Sequence, residues 1–94
     1  MADYILSKEA EEDLIRIHHY GIKRFGIRQA DRYFDDLFSC FDTISERPYS
    51  FESVDHIKKG YRRCVYKSDS IYFKIGKDRV EIMAIIGRQE LNIV

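Results

Sequence analysis

Ninety-four residues, 45% hydrophobic and 14% aromatic, make one folded domain with a single core and no room for a second module. The formal net charge is zero and the pI about 6.8, which excludes a protein that coats nucleic acid by bulk positive charge; no direct sequence-specific nucleic-acid contact is expected. No apolar run approaches the roughly 18 residues of a membrane helix, and Met1-Ala2-Asp3-Tyr4 lacks the basic-then-apolar order of a secretory signal, so a cytoplasmic protein without a membrane partner is expected.

In chain order, Tyr4-Ile5-Leu6 reads as a short strand running into Ser7, a helix N-cap. Glu9, Glu11, Glu12 and Asp13 follow in the first turns, where the helix dipole favours anions. Ala10, Leu14, Ile17, Gly21 and Phe25 recur at steps of three and four, and Lys23, Arg24 and Gly26 supply a cationic last turn and a stop, which predicts a helix over 8–25. Ala30, Tyr33, Phe34, Leu37, Phe38, Phe41 and Ile44 draw the apolar stripe of a second helix ending before Arg47-Pro48. The link at Gly26-Ile27 is so short that the two helices must form an antiparallel hairpin.

Pro48 to Lys59 reads as a loop pinned by Tyr49 and Phe51, and Gly60 ends it. Three strands follow, in the runs 60–66, 68–75 and 80–89. Ile71, Phe73 and Ile75 share one face while Tyr72 and Lys74 take the other, the period of a sheet buried on one side. Val80 to Ile86 is apolar on both faces apart from Glu81, as in a central strand, and Gly76-Lys77-Asp78 supplies the turn before it. The expected fold is α+β: a strand, a helical hairpin and a three-stranded antiparallel meander, with the helices packed on one face of the sheet.

Chemistry-bearing residues are few. Cys40 and Cys64 have no second ligand at metal spacing and read as reduced, mostly buried thiols. His18-His19 lacks the i, i+4 relation of metal-binding helices, so no metal or cofactor is expected. Residues 1–46 carry six Lys and Arg against ten Asp and Glu, and residues 47–94 ten against six, so the sheet half is the basic one. Its cations are Arg62 and Arg63, on adjacent strand positions facing opposite sides, Arg79, and Arg88 beside Gln89 where the regular strand stops. Either strand arginine could instead cover apolar surface or pair with Glu81 across the sheet.

The acidic start of the first helix, Glu46-Arg47-Pro48, Gly60-Tyr61-Arg62-Arg63, Ser68-Asp69-Ser70-Ile71-Tyr72-Phe73 and Ile85-Ile86-Gly87-Arg88-Gln89 occur in an order that resembles the ParE branch of the RelE/ParE toxin superfamily over essentially the whole chain. The resemblance implies the toxin of a type II toxin–antitoxin module. Such a toxin is held inactive by a cognate antitoxin in a hetero-oligomer. Released, it binds DNA gyrase, stabilises its cleaved DNA complex and stalls replication. On this reading the target contacts are Arg62, Arg63, Arg79, Arg88 and Gln89, and the antitoxin contacts Leu14, His18, Tyr33, Leu37 and Tyr61, with no catalytic residue. Where ParE toxins often carry His after the serine of the third strand this chain has Asp69, so no role is transferred there.

The RelE branch implies an alternative, a ribosome-dependent messenger-RNA endonuclease. Cleavage would need a general acid and base, for which His56 and Glu81 are the candidates. A third reading is a non-toxic remnant that retains antitoxin binding.

Overall fold

In the computed structural model, which describes residues 3–87, strand β1 (Tyr4–Leu6) runs into helix α1 (Lys8–Phe25) through Ser7. The Ser7 hydroxyl accepts the Ala10 N–H at 3.0 Å, so the predicted cap forms. α1 ends at Gly26, whose N–H donates to the Ile22 carbonyl. Helix α2 (Ile27–Glu46) follows after that single residue, so the hairpin link is one residue shorter than expected. Gly26 has φ 93° and ψ 163°, a region essentially restricted to glycine, and a Cβ there would touch nothing within 4 Å. Gly26→Ala is therefore a test of backbone strain alone. The expected loss is about 1–3 kcal/mol, read from urea unfolding.

The expected loop after α2 contains a 3-10 turn (Pro48–Ser50) and a two-residue strand β2 (Glu52–Ser53); β3 (Tyr61–Tyr66), β4 (Asp69–Ile75) and β5 (Val80–Gly87) complete the sheet. The order is β1-β5-β4-β3-β2, with β1 parallel to β5 and the other pairs antiparallel. The sheet thus has five strands rather than four. β2 pairs Glu52 with Arg63 and Ser53 with Arg62. Phe51, edge-on to Phe73 at 5.9 Å, pins this segment to the core. The expected turn before β5 is closed by the Gly76 N–H donating to the Arg79 carbonyl at 2.8 Å.

β1 covers β5 only from Val80 to Ile82. Beyond it, side chains at the start of α1 take the place of a strand. The Ser7 hydroxyl donates to the Met83 carbonyl, Asp13 accepts the Ile85 N–H at 2.9 Å, and Arg16, ion-paired with Asp13, donates to the Ile85 carbonyl at 3.3 Å. These bonds satisfy part of an otherwise open edge.

Both helices pack on one face. Leu14, Leu37, Phe41 and Ile44 meet Cys64, Ile71, Phe73, Ile82 and Ile85 in the core. The α1 stripe leaves that core after Ile17, which is half-buried and still packs against it: Gly21 is half-buried and Phe25 is 56% exposed, because the second half of α1 borders a cleft rather than the sheet. The two cysteines are free and interact with each other, Cys40 half-buried and Cys64 buried. Burial, then the neighbouring Cys40, pushes the Cys64 thiol up to about 11 from 9. A raised folded-state pKa means this stabilisation is complete below pH 9 and lost as pH rises through 11. The urea midpoint should fall over that interval, and less steeply in Cys64→Ala.

Candidate partner-binding surfaces

A cleft of about 510 Å³ opens between the second half of α1, the first half of α2 and the β3–β4 turn. Its apolar lining comes from Ile17, Gly21, Phe25, Ala30 and Phe34. Gly21 lets the helices approach closely, since a Cβ there would lie 3.2 Å from the Ala30 Cβ. His18 spans the helices on one wall: its Nε2–H donates to Asp31 at 2.7 Å and its ring lies 5.2 Å from Phe34.

Two crossed tyrosine–aspartate bonds hold the β3–β4 turn against α2 on the other side. Tyr66 donates to Asp36 at 2.8 Å, and Tyr33 donates its single hydroxyl proton to Asp69, which is only 7% exposed. Tyr33 and Asp36 are three residues apart on α2 and so share a face. Burial, then the bond to Asp69 and its charge, holds the Tyr33 hydroxyl far above the usual tyrosine range; hydrogen bonding to Asp36 raises Tyr66 as well. Lys67, at φ 54° in the turn, sets its ammonium 5.9 Å from the Tyr33 ring and 5.4 Å from the Tyr66 ring. The residue singled out as a departure from ParE sequences, Asp69, is thus the buried partner of this clasp. The sequence places Tyr33 in the apolar stripe and among the expected antitoxin contacts but does not show the clasp; the i, i+3 Tyr-x-x-Asp on one helix and Tyr66-x-x-Asp69 across a turn are the available signal.

The basic residues expected to act together are divided. Arg62 points to the helix side, donating to the Phe51 carbonyl at 2.7 Å with its guanidinium 5.2 Å from the Tyr49 ring. Arg63 points to the open face, bonded to Glu52 at 3.0 Å rather than to Glu81. Strand alternation enforces that split. Arg79 sits in the β4–β5 turn at the end of the sheet where β3 begins. Arg88 and Gln89 lie outside the described residues; the chain reaches them from Gly87, at the other end of β5, about 24 Å from Val80 for an eight-residue strand.

Of the expected antitoxin contacts, Leu14 and Leu37 are core residues, 3% and 0% exposed, so the apolar stripe they belong to is spent on the chain's own sheet. His18 and Tyr33 line the cleft, and Tyr61 is half-buried at the start of β3 under Lys58. Glu81 faces Lys74 at 4.0 Å and His56 has Glu52 as its charged neighbour; no contact joins His56 to Glu81 among the described residues. No helix among those residues is long and apolar enough to cross a membrane.

The family described as the ParE toxin of the type II toxin–antitoxin system, parDE, matches residues 4–92. Toxin ParE1 of Caulobacter vibrioides is 34% identical over 92 residues, covering 98% of this chain and 94% of that protein. Toxin ParE1 of Mycobacterium tuberculosis is 25% identical over 87 residues, covering 92% and 89%. Among solved structures, a chain of the chromosomal ParDE system from P. aeruginosa superposes with a TM-score of 0.81 at 16% identity, over 93% of this chain and 96% of that one, a likeness of fold.

Proposed function

This chain belongs to the ParE toxin family of type II toxin–antitoxin systems, and on that premise we propose that it stops growth by binding DNA gyrase in the cytoplasm and stabilising its cleaved complex with DNA. It acts by binding rather than by chemistry of its own, and a cognate antitoxin neutralises it. The observation that carries this reading is the family match, which spans residues 4–92 and so takes in every element of the fold.

The cleft supports antitoxin binding. Its walls expose more apolar than polar surface although charged side chains also line it, it has His18 and Tyr33 on its walls, and its volume of about 510 Å³ suits an inserted segment of another chain. An antitoxin segment folding into it would gain apolar burial that the free toxin lacks. On the chemical side, the acid and base that RNA cleavage needs are not brought together by His56 and Glu81, whose contacts are with Glu52 and Lys74.

The test uses purified, antitoxin-free protein with gyrase and plasmid DNA, beside a translation extract programmed with a defined message. Loss of supercoiling with accumulation of cleaved plasmid, and intact message, is the expected result. Cut message with normal gyrase would replace this reading with the endonuclease, and an effect in neither assay with retained antitoxin binding would identify a non-toxic remnant.

A further inference from the structure

The acidic average of the first half of the chain conceals a cationic concentration that the fold places at the tip of the α1–α2 hairpin. From Ile17 to Arg32 there are four cations, Lys23, Arg24, Arg28 and Arg32, against one acid, Asp31, which is already paired with His18. The turn itself, Lys23-Arg24-Phe25-Gly26-Ile27-Arg28, contains no acid. At the other end of the hairpin the sign reverses: Glu9, Glu11, Glu12 and Asp13 open α1, and α2 beyond Arg32 carries Asp35, Asp36, Asp42 and Glu46 with no Lys or Arg.

Stability of the fold does not account for this tip. Lys23 and Arg24 at the end of α1 complement its dipole, but Arg28 lies in the first turn of α2, where the dipole opposes a cation and no acidic residue offsets it. Phe25 and Ile27, on either side of Gly26, are 56% and 61% exposed, so two large apolar side chains protrude together amid those cations. Such a combination is what a recognition surface needs: apolar anchors for a pocket, and cations that steer and register an acidic rim.

We infer that this tip is the surface the toxin presents to its target, and that the target offers it a protein surface with acidic side chains around an apolar pocket. The inference rests on the toxin reading above. Charge complementarity calls for an acidic partner. A paired Phe and Ile call for a pocket, which a phosphate backbone does not provide, and two side chains are a small apolar area for holding a bilayer. Lys23, Arg24, Ile27 and Arg28 are not part of the cleft lining, so target and antitoxin surfaces are separable, with Phe25 and Arg32 at their border.

The test compares Arg28→Glu and Ile27→Ser with wild type and with Lys59→Glu, an exposed loop cation remote from the tip in the chain. Each is expressed from an inducible promoter with and without antitoxin, and each purified protein is assayed on gyrase with plasmid DNA. Both tip variants are expected to need at least tenfold more inducer to halve growth, while still binding antitoxin. Arg28→Glu should keep a thermal midpoint at or above wild type, because glutamate suits the start of α2, and Lys59→Glu should arrest growth as wild type does.

Unchanged arrest by both tip variants, or an equal loss in Lys59→Glu, overturns the inference and leaves the toxin reading standing. Arrest that depends on the tip, with gyrase untouched by wild type, upholds the tip and overturns gyrase as target. Absence of both arrest and gyrase inhibition in wild type overturns both. Binding of wild type to plasmid alone, or to vesicles of phosphatidylglycerol and phosphatidylethanolamine, that Arg28→Glu abolishes would overturn the assignment to a protein partner.

Discussion

Phe41→Ala is expected to cost about 3–5 kcal/mol, the usual range for deleting a buried phenyl ring. Phe41 is fully buried on α2 and lies at the junction of three elements. Its ring is 5.5 Å from Tyr4 on β1 and 5.1 Å, edge-on, from Phe38 one turn back on its own helix, and the same core cluster includes Ile82 and Ile85 on β5. Because β1 is a three-residue strand held by β5 on one side only, it cannot move in to fill the space without losing its register with Val80 to Ile82. The residual cavity should therefore stay large, putting the loss at the upper end of the range. A domain this size is typically stable by about 5–15 kcal/mol, so a third or more of the total would go. The thermal midpoint should drop by roughly 15 to 30 °C. Phe41→Leu, which keeps most of the volume, should cost about 1 kcal/mol. A loss below about 1.5 kcal/mol for the alanine variant would mean that α2 does not face the sheet in this register.

What was legible in the sequence was what local chemistry decides. Ser7 caps because a hydroxyl before an acidic turn has an N–H to accept, and Gly26 stops α1 because only glycine tolerates its backbone angles. The α2 stripe predicted its buried face correctly at Ala30, Leu37, Phe41 and Ile44. Periodicity alone, however, does not say which surface an apolar face will meet, so Leu14 and Leu37 were assigned to another chain when this chain's own sheet takes them. β2 is two residues long and has no period to read. The parallel pairing of β1 with β5 joins residues some 76 positions apart, and the closing of the β5 edge by Ser7, Asp13 and Arg16 depends on it. The arginines were grouped by sequence charge, but strand alternation sends Arg62 and Arg63 to opposite faces, and Arg79 sits in the turn at the end of the sheet where β3 begins. Averaging charge over halves also erased the hairpin tip, because the acids at the base of the same two helices cancel it.

Tyr33→Phe is expected to cost about 2–3 kcal/mol, more than the single hydroxyl would suggest, because of what it leaves behind. The phenyl ring stays, so packing against Tyr66 at 5.6 Å is kept and no cavity forms. What is lost is the donor to Asp69, a 7% exposed carboxylate whose cross-strand neighbour on β5 is Gly87, which has no side chain to offer in its place. Asp69→Asn retains an acceptor for Tyr33 and should cost less than Tyr33→Phe. Tyr66→Phe removes the chemically equivalent bond to Asp36, but Asp36 is more exposed and water can replace the donor, so its loss should be the smaller of the two tyrosine deletions. Equal losses would show that burial of Asp69 does not set the cost. The alkaline limb gives a second check. The Tyr33 hydroxyl is raised in the folded state, so its contribution is complete below the ordinary tyrosine value of 10 and is lost as pH climbs beyond it. Wild-type stability should fall more steeply above pH 10 than that of Tyr33→Phe, which has no proton to lose at this position. Since the clasp holds the β3–β4 turn as one wall of the cleft, the same variant should weaken antitoxin binding while growth arrest, assigned to the hairpin tip, is kept.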